Sequence, residues 1–249
     1  MISGRRIVAA TTVAALSIGI GVFAVDQARG DASRPCNVYY PLPSDGTWTY
    51  REGPLGGKPR VEKTVVVRSV EGPADRRVAQ VEQSVRTPGA PGVAAGRART
   101  TVHCDGGRIG MTVRGVARGR EGESTASGSV DARLPGLPPA AKLVPGYEWT
   151  SESRIEAKDA GISATTTGTR KNRVAGFEAV TVPAGRFEEA LKIETVEDLR
   201  QEGQGRSARQ ELIEWYVRGI GLVMRETRGH SGTQSATSVE ALTASSLIR

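Results

Sequence analysis

Past residue 45 the chain falls into short runs separated every 8–14 residues by Gly, Pro or Asp-Gly. Trp48 and Tyr50, two apart, share one face of a run over residues 46–52. Val65, Val66, Val67 and Val70 mark residues 60–71, and Val78, Val81 and Val85 mark residues 76–86, where the spacing also suits a helix. Residues 100–104 meet Asp105-Gly106, a two-residue hairpin signal, and residues 108–116 return. Residues 129–134, 147–157, 162–170, 176–182, 186–195, 211–217, 220–227 and 235–247 continue the pattern, with a non-regular connection over 135–145 that holds four prolines. Within 187–201, Glu, Ala and Leu favour helix, whereas Leu191, Ile193 and Thr195 alternate on one face like a strand. Short runs with this punctuation predict a mainly β, antiparallel architecture.

The first 24 residues read differently. Arg5 and Arg6 precede 19 residues, 7–25, without a charge. Val22-Phe23-Ala24 offers small residues for cleavage after Ala24, which predicts a signal peptide at 1–24. An uncleaved N-terminal anchor helix is the rival, since about 18 apolar residues can span a bilayer. The arginine pair fits either the general or the twin-arginine export route. Residues 25–35 form a polar tether, and its Arg29-Gly30-Asp31 is read as a chance adhesion tripeptide. The β domain then covers 36–249. A Pro/Gly turn delivers a Trp into a strand twice, at Pro43 to Trp48 and at Pro145 to Trp149, which suggests two related halves, 36–145 and 146–249.

Composition sharpens this picture. Val (26) outnumbers Leu (12) and Ile (11), and Thr reaches 21, a bias toward strands. Together Leu, Ile, Val and Phe make only 21% of the chain, so the core is lean. Beyond the leader, aromatic residues occur only at 39, 40, 48, 50, 147, 149, 177, 187, 215 and 216, and residues 51–146 have none. Export makes a disulfide between the two cysteines, Cys36 and Cys104, the expected pairing, against two free buried thiols. It would close a loop worth on the order of 4 kcal/mol in the chain-entropy model.

Four phrases carry a family resemblance. They are Tyr39-Tyr40-Pro41-Leu42 with Gly46-Thr47-Trp48-Thr49-Tyr50; Pro145-Gly146-Tyr147-Glu148-Trp149; Glu178-Ala179-Val180-Thr181-Val182-Pro183-Ala184-Gly185-Arg186-Phe187; and Trp215-Tyr216-Val217-Arg218-Gly219-Ile220-Gly221. Over residues 39–247 the chain resembles the TapB-like exported bacterial β domains. That resemblance implies a curved antiparallel sheet or half-barrel akin to lipoprotein-carrier folds, and no established reaction. Many relatives carry a lipobox cysteine, and this chain does not. Trp48, Tyr50, Trp149, Pro183, Gly185, Phe187, Trp215, Tyr216, Gly219 and Gly221 have structural reasons to be there: Pro183 and Gly185 suit a tight reversal, Gly219 and Gly221 a turn or bulge, and the aromatics supply buried area.

Catalytic and metal chemistry finds little footing. The only imidazoles are His103 and His230, and His103 next to Cys104 points to the opposite face of a strand. Gly229 to Thr233 falls one residue short of a nucleophile elbow. No catalytic, cofactor-binding or metal-binding residue and no cofactor is assigned. Glu188, Glu189, Glu194, Glu197 and Asp198 read as a solvated polar face, with a two-carboxylate secreted hydrolase as the alternative. The net charge is +7, with Arg97, Arg99, Arg108, Arg114, Arg118 and Arg120 clustered, but no aromatic interleaves them as nucleic-acid stacking would require. The expectation is an exported, non-enzymatic domain of the cell envelope that binds a hydrophobic or acidic envelope component. It meets no nucleic acid, and the membrane only through an uncleaved leader. A periplasmic lipid or lipoprotein carrier is the second alternative.

Overall fold

The computed structural model describes residues 35–88, 94–117, 128–159, 162–203, 207–231 and 234–248. The leader, the tether up to residue 34 with its Arg29-Gly30-Asp31, Arg118 and Arg120 lie outside the described residues. Twelve strands follow one another: β1 Thr47–Pro54, β2 Val61–Glu71, β3 Arg76–Arg86, β4 Ala94–Asp105, β5 Arg108–Ala117 and β6 Gly128–Pro135; then β7 Glu148–Asp159, β8 Ile162–Val182, β9 Gly185–Gln201, β10 Ser207–Val217, β11 Gly221–Ser231 and β12 Gln234–Ser245. Both regions that could have been helical, 76–86 and 187–201, are strands; Leu191, Ile193 and Thr195 bury one face of β9 as the alternation requires. One 3-10 turn, Ala140–Lys142, interrupts the Pro-rich connection between β6 and β7.

Every strand pairs antiparallel with its sequence neighbours, and β12 pairs with β1, Trp48 opposite Ser245. The expected half-barrel is therefore corrected to a closed up-and-down barrel. The curvature that permits closure comes in part from irregular register at Thr49/Tyr50, Val67/Ser69, Val174/Gly176, Glu178/Val180 and Trp215/Tyr216. Closure leaves no free sheet edge. The strands on either side of residue 145, β6 and β7, are neighbours in the same sheet.

An up-and-down barrel sends alternate connections to opposite ends. Both ends of the domain, the β4–β5, β8–β9 and β10–β11 turns and the β6–β7 connection share one end, which we call proximal. The β4–β5 loop is Gly106-Gly107 rather than Asp105-Gly106, and both glycines have positive φ (54° and 82°), as a two-residue type I′ turn needs. The core gathers at the proximal end, where Tyr39, Leu42, Trp48, Leu137, Leu143, Trp215 and Tyr216 are all buried.

Candidate binding site

The site is the inside of the barrel, and its floor is the proximal plug. Residues 35–46 cross this end before entering β1. The Cys36–Cys104 disulfide ties their start to the end of β4, with Cα atoms 6.2 Å apart. Asn37, buried, donates from Nδ2 to the carbonyls of Gly107 (2.8 Å) and Pro138 (3.0 Å), and its Oδ1 accepts from the Tyr39 amide at 3.0 Å. One side chain thus joins the crossing segment, the β4–β5 turn and the β6–β7 connection. The Gly219 amide donates to the Val38 carbonyl at 2.7 Å, and Gly219 and Gly221 have φ of +77° and +100°, conformations that favour glycine. The β8–β9 turn at Pro183-Ala184 reaches across the barrel, where the Ala184 amide donates to the Leu242 carbonyl at 3.1 Å.

The structure places the motif residues in this one region. Trp48 Nε1 donates to the Ile220 carbonyl at 2.7 Å and Tyr50 OH to the Leu222 carbonyl at 3.1 Å, so the opening motif is bonded to the β10–β11 motif. Trp215 is buried, donates to Glu178 at 2.8 Å and lies under the Lys192 ammonium. Tyr216 is buried as well, on the inward face opposite Leu191. Trp149 stacks on Tyr147 with ring centroids 5.7 Å apart. Gly185 opens β9, and Phe187 is half-buried against the core.

Above the plug, the inward faces of five strands bring charged groups together that the sequence keeps far apart. Arg225 on β11 stands opposite Glu214 on β10 and Glu240 on β12. It reaches Glu214 at 2.6 Å and Glu240 at 3.4 Å. Lys63 on β2 lies against Glu240 and over the Tyr50 ring, 4.9 Å from its centre. Glu52 on β1 faces Glu240 directly across the sheet and has no ion-pair partner among the described residues. Tyr40 closes this level by donating to Met111 Sδ at 3.3 Å. Burial pushes the Tyr40 hydroxyl up to about 12, with Arg225 opposing. Burial and then Arg225 push the Lys63 ammonium down to about 7, against Glu52 and Glu214. Arg225 stands deep in the wall, yet a third of its side chain is exposed, so solvent reaches it from inside the barrel.

A second inward group lies further round. Glu197 accepts from Ser153 at 3.0 Å, from Arg170 at 2.8 Å and from Gln210. Burial works against its charge, but these donors outweigh it and hold the carboxyl below the usual carboxylate range. Of the five carboxylates marked in the sequence, Glu197 alone is buried; Glu188, Glu189 and Asp198 are exposed, and Glu194 and Asp198 share the opposite face of β9. His103 and His230 are exposed on β4 and β11, and Arg97, Arg99, Arg108 and Arg114 are exposed. Among the described residues no group of three or more His, Cys, Asp or Glu is placed to hold a metal ion. The inward ion network went unmarked in the sequence; its one local trace is a charged residue, Lys63 or Glu240, at an inward phase of an otherwise apolar run.

Toward the distal end apolar inward positions are only half-buried: Val61, Val85, Val113, Ile155 and Leu199. An eight-stranded barrel is just wide enough for its own side chains, and width grows with strand number. Twelve strands make a wider barrel than eight, and among the described residues its distal part carries no aromatic side chain.

A family model described as DUF3108-like matches residues 62–239, and the chain belongs to that family. Two crystal structures share the fold. One is a candidate lipoprotein from Parabacteroides distasonis, 16% identical, with a TM-score of 0.61 over 85% of this chain and 100% of that one. The other is a candidate exported protein with a YmcC-like fold from Bacteroides fragilis, 14% identical, with a TM-score of 0.57 over 84% and 99%. No curated protein matches the chain.

Proposed function

We propose that this member of the DUF3108-like family is an exported, non-catalytic binding protein of the bacterial cell envelope, and that it holds an apolar chain in the distal half of its barrel. The observation that carries this reading is the contrast along the barrel axis. All ten aromatic residues beyond the leader belong to the proximal plug or to the proximal parts of strands, and the distal lining carries the aliphatic side chains of Val61, Val85, Ile155 and Leu199 beside the Glu197 group. Pockets that take apolar ligands are mostly apolar with a few placed polar groups, and this interior has that composition. The charge-free run after Arg5-Arg6 supports export, as do the descriptions of the two structural neighbours as a lipoprotein and an exported protein. The TapB-like resemblance belongs to the same proposal, since its motifs build the plug that makes the barrel a cup. A two-carboxylate hydrolase gains less support: Glu214 and Glu240 are both engaged by Arg225, and Glu197 is held by three donors.

The test is binding of a neutral apolar dye, N-phenyl-1-naphthylamine, by fluorescence. The wild-type protein is expected to bind it at micromolar concentration. Val113→Trp and Ile155→Trp, each filling the lumen from a different wall, are expected to weaken binding at least tenfold while the protein stays folded. Absence of dye binding, or binding indifferent to both fillings, overturns the proposal.

A further inference from the structure

We infer that the lumen selects an amphiphile whose polar head bears an ammonium group and turns away one whose head is only an anion. This rests on the lumen being the binding element and names what stands at its inner end. Five ionisable side chains face inward at one level, on five strands: Glu52, Glu214 and Glu240 against Lys63 and Arg225. Both bases are already committed, Arg225 to Glu214 and Glu240, Lys63 to Glu240. One carboxylate is left over. Glu52 stands directly opposite Glu240, and like charges facing each other across a sheet repel.

Distal to these groups the inward positions include Val61 and Leu212 together with Thr227 and Ser238, and the five charges, packed against one another and largely buried, interact more strongly than they would in water. The exposed third of Arg225 shows that the level is reachable from the lumen. Partial loss of the Lys63 proton near neutral pH, from the burial and the Arg225 charge described above, widens the acidic excess. An ammonium entering head-first meets Glu52 and Glu240 and relieves their repulsion. A carboxylate or phosphate without an ammonium meets three carboxylates, and the one guanidinium it can approach, Arg225, is already held by Glu214 and Glu240. Breaking such a pair leaves a buried charge uncompensated. An apolar chain is then oriented, with its tail toward the distal half, where Val85, Val113 and Ile155 line the wall.

The experiment uses the exported chain and three decyl compounds below their micellar range: decylamine, decanol and decanoate, each displacing N-phenyl-1-naphthylamine at fixed ionic strength and pH 7. Decylamine is expected to displace at about tenfold lower concentration than decanoate, the scale of one charge-assisted hydrogen bond, with decanol between them. Glu52→Gln is expected to bring decylamine to the level of decanol without changing dye binding. Arg51→Gln, on the outer face of the same strand, is expected to leave the order intact. Decanoate displacing as well as decylamine overturns the inference and leaves the lumen reading standing, and so does a Glu52→Gln protein that keeps the full preference. No binding of the dye or of any decyl compound overturns the lumen reading and this inference together.

Discussion

The two ends of the barrel are made of the same strands and differ in what fills them. At the proximal end, large rings, a crossing segment, a disulfide and hydrogen bonds such as Gly219 to Val38 leave Leu42, Trp48, Leu143 and Val182 all nearly inaccessible. At the distal end the same strands present Val61, Val85 and Leu199, each half-buried, to the interior. A lean core is thus concentrated rather than spread. One end supplies packing and fixes the closure, and the other is left with the width that twelve strands impose.

That division is open to direct attack, and the disulfide is the largest lever. Replacing Cys36 and Cys104 together by Ser should cost about 4 kcal/mol, the scale for a loop of 68 residues, read as a lower urea midpoint. Truncating one ring at each level compares the ends directly. Trp48→Ala removes buried area and orphans the Ile220 carbonyl, and about 3 kcal/mol should be lost; Val113→Ala, on the half-buried distal wall, should lose about 1 kcal/mol or less. Equal losses at the two positions would erase the contrast. Asn37→Ala, which strips partners from two carbonyls at the plug, should cost about 2 kcal/mol, although it removes few apolar contacts.

The last effect, about 1 kcal/mol for each pH unit, locates the boundary between the ends. The folded chain holds Lys63 near 7 and the unfolded chain near 10.5, so between these values the unfolded state carries the extra proton. Stability should therefore rise with pH from about 7 toward 10, at most by about 1 kcal/mol per pH unit. Lys63→Met should flatten that slope in urea titrations at pH 7, 8 and 9. A slope that persists unchanged would show that Lys63 is not the buried base at the meeting of plug and lumen.

Much of the wall is legible along the chain. The alternation of Leu191, Ile193 and Thr195, the Val-rich run of β2 and the turn at Pro183 each carry local signals, because strand pleat and turn geometry are decided within a few residues. Local signals also mislead by small amounts, as at the β4–β5 turn, where the pair with positive φ is Gly106-Gly107. The motif aromatics are recognisable as buried anchors, but nothing nearby in sequence says that they meet one another. Trp48 finds Ile220, 172 positions away, only once the barrel has closed. Asn37 looks like any polar residue of a loop until three chain segments converge on its side chain.

The sequence by itself determined a β chain, its inward and outward phases, its turns and its single disulfide pairing. Each of these is a short-range property or the only arrangement that two cysteines allow. Closure was decided by tertiary structure, because the pairing of β1 with β12 joins residues nearly 200 positions apart, and a half-barrel with the same strands has the same local pattern. Tertiary structure also decided that Glu52, Lys63, Glu214, Arg225 and Glu240 form one inward cluster. Every one of them is an ordinary solvated charge when considered alone, and only the register of five strands turns them toward a common interior.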